Sequence, residues 1–514
     1  MESESSRPVA IPTLRLMLAR TAAFGLSFVL PLLLVRRLDQ AEYGLYKQAF
    51  LLVSTALSVL LLGFQMSAFY FLPREPERQA AVVSNIVIFH TLAAGLGCVA
   101  LIVRPDLLIV IFRDPALVPY APLIGIIILL WGMSFSLEYI PIANREAGLA
   151  AAFIVAMQLT RAVMLVCAVM LFGSITALLW SAVIHGVLQV VVLMAYLHTR
   201  FGSSLSQLSW SMMRTQLTYA VPLGAAGLLW SAQMDAPHYF VSHHFSTAAY
   251  AIYAVGCFQL PLIAVITEAA GSVMISRVCI LRQYGERQQI IEATAKLIRL
   301  VSMIYLPVYV FFLLVGSEFL RVMFTDAYIS SWPIFMINLT MIPLSIIASA
   351  YDPILRAYPE FRYIVLRIRL VLLIASLAVL WSATERLGLI GVITLVVLVN
   401  GLERLLIGRL AIRIVGVRWH DLVLLKDVGK LAGAAVLASI TVVPVRWLFG
   451  TSEPIVVLGL STLGYATGFL AAVLMLRVTT RDEWRLLWAM TGKLPPFTPS
   501  SQPADLAMGR GLER

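Results

Sequence analysis

Residues 38–46 read Leu38-Asp-Gln-Ala-Glu-Tyr-Gly-Leu-Tyr46, and 207 positions later residues 245–253 read Phe245-Ser-Thr-Ala-Ala-Tyr-Ala-Ile-Tyr253. Ala41, Tyr43 and Tyr46 match Ala248, Tyr250 and Tyr253. Each stretch falls in the turn between the first and second apolar helices of a set of six. Because six is even, the two sets enter the membrane in the same direction. That is the parallel kind of internal repeat, in which two lobes surround a site near the midplane.

The surrounding composition requires a membrane. Of 514 residues, 60% are hydrophobic and 13% charged, with a mean hydropathy of +0.90. Soluble domains run near 45–50% apolar and about 25% charged. A soluble enzyme, a disordered chain and a nucleic-acid-binding domain are therefore excluded. The formal charge of +11 is informative through its placement rather than its sum.

Apolar periodicity predicts an all-α, polytopic bundle of about 14 helices. They fall at 14–35, 45–72, 82–104, 120–143, 149–173, 175–199, 216–240, 249–274, 297–316, 331–350, 363–384, 388–412, 429–448 and 454–477. The organisation expected is a tail at 1–13, an N-lobe at 14–199, a linker at 200–215 and a C-lobe at 216–412. A linker at 413–428, a helix pair at 429–477 and a tail at 478–514 complete it. The two lobes are expected to be pseudo-symmetric around a central cavity. With both termini cytoplasmic, 28 of the 38 Lys and Arg lie on the inner side and 8 on the outer, while Arg20 and Arg161 lie within helices. This asymmetry supports an even span number and that orientation. The acidic Glu2 and Glu4 ahead of Arg15, with no small-residue cleavage site, predict no cleaved signal peptide.

The basic helix end, the hairpin Arg37-Leu-Asp-Gln-Ala-Glu-Tyr-Gly-Leu-Tyr46, the two six-helix sets and the terminal pair together resemble the Wzx-type polysaccharide transporter (oligosaccharide flippase) family. That family lies within the multidrug/oligosaccharidyl-lipid/polysaccharide exporter superfamily. The resemblance implies translocation of a polyprenyl-pyrophosphate-linked oligosaccharide across a bacterial inner membrane and a cationic cavity between the lobes. It places the chain in the supply of O-antigen, capsule or exopolysaccharide. Implied partners are the lipid-linked substrate, membrane lipids, and a polysaccharide polymerase and glycosyltransferases.

Ionised side chains at mid-membrane cost about 2.5–3.5 kcal/mol each on insertion scales, so each demands a reason. Arg161 sits at the centre of 149–173, with Gln158 on the same face. It reads as a phosphate-meeting cavity residue or as a structural ion pair. Arg20 is drawn into the first helix because the uncharged run Thr21–Val35 spans only about 22 Å. It reads as snorkelling to the interface or as attracting an anionic headgroup. Lys47, Ser54, Ser58 and Gln65 share one helical face, as do Ser181, His185 and Gln189, and again Asn338, Ser345, Ser349 and Asp352. Interhelical hydrogen bonding and cavity lining both account for such stripes. Glu138, Asp235 and Glu268 are candidates for gating or ion coupling. Matched depth suggests ion pairs Lys47–Asp235 and Arg20–Glu268. The loop 277–296 reads as an amphipathic element on anionic lipid.

No Walker GxxxxGK[ST], HExxH, GxSxG or paired CxxC occurs in the sequence. The reading is accordingly a non-enzymatic transporter with no cofactor and no metal site. Cys98, Cys167, Cys257 and Cys279 read as packed thiols, and His243-His244 as a solvated pair. The competing readings are a multidrug exporter, whose cationic cargo would favour an acidic cavity, an integral membrane glycan polymerase or ligase, and a non-transporting scaffold.

Overall fold

In hydrocarbon an unpaired peptide group costs several kcal/mol, so a chain this apolar has to satisfy its backbone within helices. The computed structural model describes residues 30–202, 208–450 and 452–476, and these contain helices and no strands. The amino-terminal half comprises α1 (Gln40–Leu61), α2 (Gln79–Val103), α3 (Ala121–Ser134), α4 (Ser136–Ala143), α5 (Ala147–Phe172) and α6 (Ile175–Phe201). The second half comprises α7 (Trp210–His244), α8 (Thr247–Gly256), α9 (Pro261–Gln283), α10 (Arg287–Phe324), α11 (Trp332–Leu339), α12 (Met341–Ala357) and α13 (Arg362–Val415). Then follow α14 (Lys426–Ala438), α15 (Val442–Phe449) and α16 (Pro454–Met475), which pack on α10 and on one another. Among the described residues, ten helices are long and apolar enough to span a membrane, counting Pro359–Val415 once.

That last element is two passes. Gly388 leaves the helical region at φ 64°, ψ −177°. A straight helix would hold Arg369 and Glu403 about 51 Å apart, yet Arg369 Nε lies 2.9 Å from a Glu403 carboxylate oxygen. The chain therefore doubles back at Gly388, where a positive φ costs glycine little.

The repeat seen in the sequence starts with the same kind of cap in both halves, on helices of 22 and 10 residues. Asp39 caps α1 by accepting from the Glu42 N–H, and Ser246, 207 positions on, caps α8 by accepting from the Ala249 N–H. Such a cap is worth about 1 kcal/mol. Tyr43, Tyr46, Tyr250 and Tyr253 are all buried. The two helices cross at Gly44, where an added Cβ would collide with the Thr247 carbonyl oxygen. A second correspondence escaped the sequence reading. Phe112-Arg113-Asp114 and Phe324-Thr325-Asp326 each place a buried Phe before a positive-φ residue and an Asp leading into a 3-10 turn.

Two expected helices and one expected loop differ in ways that bear on the site. The span 45–72 breaks at Leu62 and Gly63, both with positive φ. The span 249–274 breaks between Gly256 and Pro261, since proline cannot donate to the preceding turn. The expected loop 277–296 is largely the end of α9 and the start of α10. Its Ile290 and Ile291 are buried against the core rather than offered to lipid.

Gly44→Ala is expected to force α1 and α8 apart at a contact made by rigid backbone. An overpacking cost of about 1–3 kcal/mol should lower the thermal unfolding midpoint of the detergent-solubilised protein. An unchanged midpoint would show that the crossing is not tight.

Candidate functional site

The cavity of interest lies inside the amino-terminal half, between α3, α4, α5 and α6, with a volume near 330 Å³. It is lined by five residues singled out from the sequence: Arg161 and Gln158 from α5, His185 and Gln189 from α6, and Glu138 from α4. Helical spacing explains the grouping. Gln158 and Arg161 are three apart and His185 and Gln189 four apart, so each pair presents one face.

Arg161 is half-buried, with its guanidinium 4.7 Å from the Trp131 ring centre and 5.9 Å from that of Phe50. Among the described residues it makes no ion pair and no hydrogen bond, so the structural ion pair is not what holds it. A desolvated cation over an aromatic face gains about 2 kcal/mol, close to the insertion cost of an intramembrane arginine. Trp131 is itself fixed, its indole N–H donating to the Ala182 carbonyl at 3.2 Å. The guanidinium donors thus remain available to a ligand while the charge is supported from behind.

The neighbours are also oriented. One His185 nitrogen, Nε2, faces the Met157 carbonyl oxygen at 3.0 Å, which makes it the donor and leaves buried Nδ1 with no partner. Ser134 donates to the Gln189 side-chain oxygen at 3.2 Å, leaving the amide N–H groups of Gln189 for the cavity. The mixture of one cation, one carboxylate and several amide and imidazole groups suits a polar, charged cargo.

The other candidates are dispersed. Lys47 lies 5.5 Å over the Tyr43 ring, and Asp235 accepts from the Thr55 hydroxyl at 2.9 Å. The expected Lys47–Asp235 ion pair does not form: the ammonium lies over the Tyr43 ring and the carboxylate takes the Thr55 hydroxyl instead. Ser54 and Ser58 return their hydroxyls to the Leu51 and Ser54 carbonyls of their own helix. Gln65 falls beyond the break at Leu62–Gly63 and is buried in the following turn, off the face it was expected to share. Asn338 donates to the Phe258 carbonyl and lines a separate cavity in the second half. Arg20 lies outside the described residues, as does the side chain of Glu268 on α9, so the pair predicted between them does too. Among the described residues no three His, Cys, Asp or Glu side chains gather as a metal site. His243 instead faces the Ile111 carbonyl oxygen and His244 pairs with Glu385.

Contacts between the halves concentrate at the end carrying Asp39 and Ser246. Arg36 donates to the Val322 carbonyl at 2.6 Å, Gln40 to that of Ala327, and buried Gln48 to Ser242 at 2.7 Å. Toward the other end, the first part of α7 joins the amino-terminal half through buried Asn85, Gln216 and Ser67. Sequence reading missed the Val322 and Ala327 carbonyls in the first group, since no motif marks a carbonyl as an interhelical partner.

A family described as polysaccharide biosynthesis protein matches residues 33–333. The chain belongs to that family. No curated protein matches the sequence of this polysaccharide biosynthesis protein. Its fold is similar to a solved structure titled lipid II flippase MurJ, inward closed conformation. The TM-score is 0.64 at 13% identity, covering 90% of this chain and 98% of the other. It is also similar to an inward-facing multidrug resistance MATE transporter of the MOP superfamily (TM-score 0.56, 16% identity, 78% and 95% covered). A third similar structure is the Vibrio cholerae MATE transporter VcmN in the bent form (0.51, 14%, 79% and 98%). At these identities the likeness is one of fold: the protein is an all-helical, multi-pass membrane protein of the MurJ/MATE-like transporter fold.

Trp131→Leu keeps an apolar side chain but removes the ring under Arg161. The thermal unfolding midpoint of the detergent-solubilised protein should fall, matching the loss of about 2 kcal/mol of cation–π support. An unchanged midpoint would show that the ring does not support the guanidinium.

Proposed function

We propose that this protein is a lipid-linked oligosaccharide flippase. It moves a polyprenyl-pyrophosphate-linked repeat unit from the inner to the outer leaflet of a bacterial inner membrane, for O-antigen, capsule or exopolysaccharide assembly. The observation that carries the reading is Arg161, a guanidinium backed by aromatic rings and paired with no carboxylate among the described residues, in a polar cavity. Family membership supports polysaccharide biosynthesis as the setting. The similar structure titled a lipid II flippase supports the mode of action.

With both termini cytoplasmic, the end that holds Asp39 and Ser246 faces outward. Arg36, Gln40 and Gln48 then hold the two halves together on the outer side. The headgroup enters from the inner leaflet, and its diphosphate takes paired hydrogen bonds from the planar fork of Arg161. Amide and imidazole groups of Gln158, Gln189 and His185 replace water around the sugars. The outer contacts then part while the prenyl chain stays in lipid, as rocking of two lobes about a midplane site requires. Glu138, in the same cavity, is positioned to couple this step to a cation or proton. Asp235 and Glu268 remain candidates for the same role, while Arg20, Lys47, Ser54, Ser58, Gln65 and Asn338 are supporting contacts along the route. No bond is made or broken, so no catalytic residue or cofactor enters the scheme. Polymerase and glycosyltransferases act before or after it as separate partners.

Native mass spectrometry of protein extracted gently from its own membrane tests this directly. A co-purifying polyprenyl-pyrophosphate oligosaccharide, lost in Arg161→Ala while membrane insertion is retained, is the expected result. Bound cationic amphiphiles with no prenyl species would transfer the assignment to a multidrug exporter. Normal translocation by Arg161→Ala would remove the binding role.

A further inference from the structure

The second half holds a larger cavity, near 620 Å³, enclosed mainly by α7, α9, α11, α12 and α13. Its charge pattern is distinctive. Arg404 reaches it from α13 and donates to the Met341 carbonyl at 3.1 Å and the Ser345 hydroxyl at 3.3 Å, both through one nitrogen. Among the described residues no carboxylate pairs with it. The nearest acid in sequence, Glu403, is buried and already committed: it takes Arg369 Nε at 2.9 Å on one oxygen and the Gln233 amide at 2.6 Å on the other. The acid on the lining, Asp352, is engaged by Arg356, which lines the same cavity, at 2.8 Å. Arg404 is thus fixed in direction by two neutral acceptors, and its second terminal nitrogen has no hydrogen-bond partner among the described residues.

The rest of the lining suits a saccharide. Asn338 directs one amide N–H to the Phe258 carbonyl and Asn400 one to the Val396 carbonyl, which fixes each side chain and leaves its oxygen to accept from a hydroxyl. Trp230 brings a broad ring to the same wall, and aromatic faces pack well against the C–H faces of sugar rings. A pocket of this size, with an aromatic wall and a few converging polar groups, matches the usual form of a small-molecule site.

We propose that this cavity is a second subsite, in which Arg404 binds an oxyanion substituent on the saccharide portion of the cargo, a carboxylate or a phosphoryl group. This rests on the flippase reading and narrows it: the cargo carries negative charge on its sugars as well as on its diphosphate. Arg161 and Arg404, one in each half, then hold two separate anionic groups of one amphiphile. Arg suits either oxyanion because its planar fork matches two acceptor oxygens, which the point charge of lysine does not.

The test uses the full chain in nanodiscs of uncharged lipid, with trigalacturonic acid, the matching neutral galactotriose and inorganic phosphate as probes. Trigalacturonic acid should bind wild type and Arg161→Gln equally. It should bind Arg404→Gln about tenfold more weakly, a loss of about 1.4 kcal/mol, with Arg404→Lys between. Galactotriose should bind more weakly and be indifferent to position 404. Inorganic phosphate that competes for the site and loses more affinity than the uronate in Arg404→Gln would identify the phosphoryl form of the same subsite. Absence of saturable trigalacturonate binding, equal binding by Arg404→Gln, or dependence on Arg161 in its place would each overturn the proposal. The thermal unfolding midpoints of Arg404→Lys and Arg404→Gln separate a binding loss from misfolding. If the Arg404-dependent binding stands but a strain lacking the gene makes normal surface polysaccharide, the flippase reading falls and the oxyanion subsite remains.

Discussion

Hydrocarbon tolerates neither an unpaired peptide group nor an isolated charge, and this constraint governs the molecule at every scale. It makes the backbone helical, because only a helix satisfies its own hydrogen bonds within one segment. It returns the hydroxyls of Ser54, Ser58, Ser345 and Ser349 to carbonyls of their own helices. It also sorts the intramembrane arginines. Arg369 is neutralised by Glu403, whereas Arg161 is backed by aromatic rings and Arg404 by a carbonyl and a hydroxyl. Of these three, the last two keep donor capacity beyond the contacts they make among the described residues.

Much of this was legible in the chain. Hydropathy alone locates the passes, and the tyrosine hairpins locate the repeat. The spacing of Gln158, Arg161, His185 and Gln189 predicts two faces, which the structure turns toward one cavity. What stayed hidden depends on geometry that periodicity does not carry. Leu62 has no intrinsic preference for a left-handed conformation, so the break at Leu62–Gly63 was invisible, and with it the displacement of Gln65. Arg369 and Arg404 count with the inner-side cations in the sequence reading, within helices 363–384 and 388–412. In the structure Glu403 holds Arg369, while the Met341 carbonyl and the Ser345 hydroxyl hold Arg404. Periodicity shows which helix carries an arginine, not which neighbour its side chain meets.

The polar contacts also divide by position. Between the halves lie side chains donating to carbonyls and two threonine–carboxylate bonds, Thr55 to Asp235 and Thr247 to Asp114, and no ion pair between Lys47 and Asp235. Such contacts are individually modest, about 1 kcal/mol each. A closure made of several modest bonds can be opened by a ligand whose binding supplies a few kcal/mol, which a deep buried ion pair would resist.

The crossing at Gly44 and Thr247 has a consequence for how such a molecule is assembled. Asp39 and Ser246 cap helices that each present buried tyrosines to the other half. Neither half alone would cover those rings. The arrangement is what two copies of one six-helix unit make when they close around an axis along the membrane normal, each patch facing its own image. Joined in one chain, the two copies are free to diverge. The position of Gly44 is matched by Ala251 in the second half, so the crossing is no longer the same seen from each side. An interface between identical subunits must repeat any change on both sides of its axis. A duplicated chain can keep the closed ring of contacts and still place a different arginine, and a different cavity, in each half.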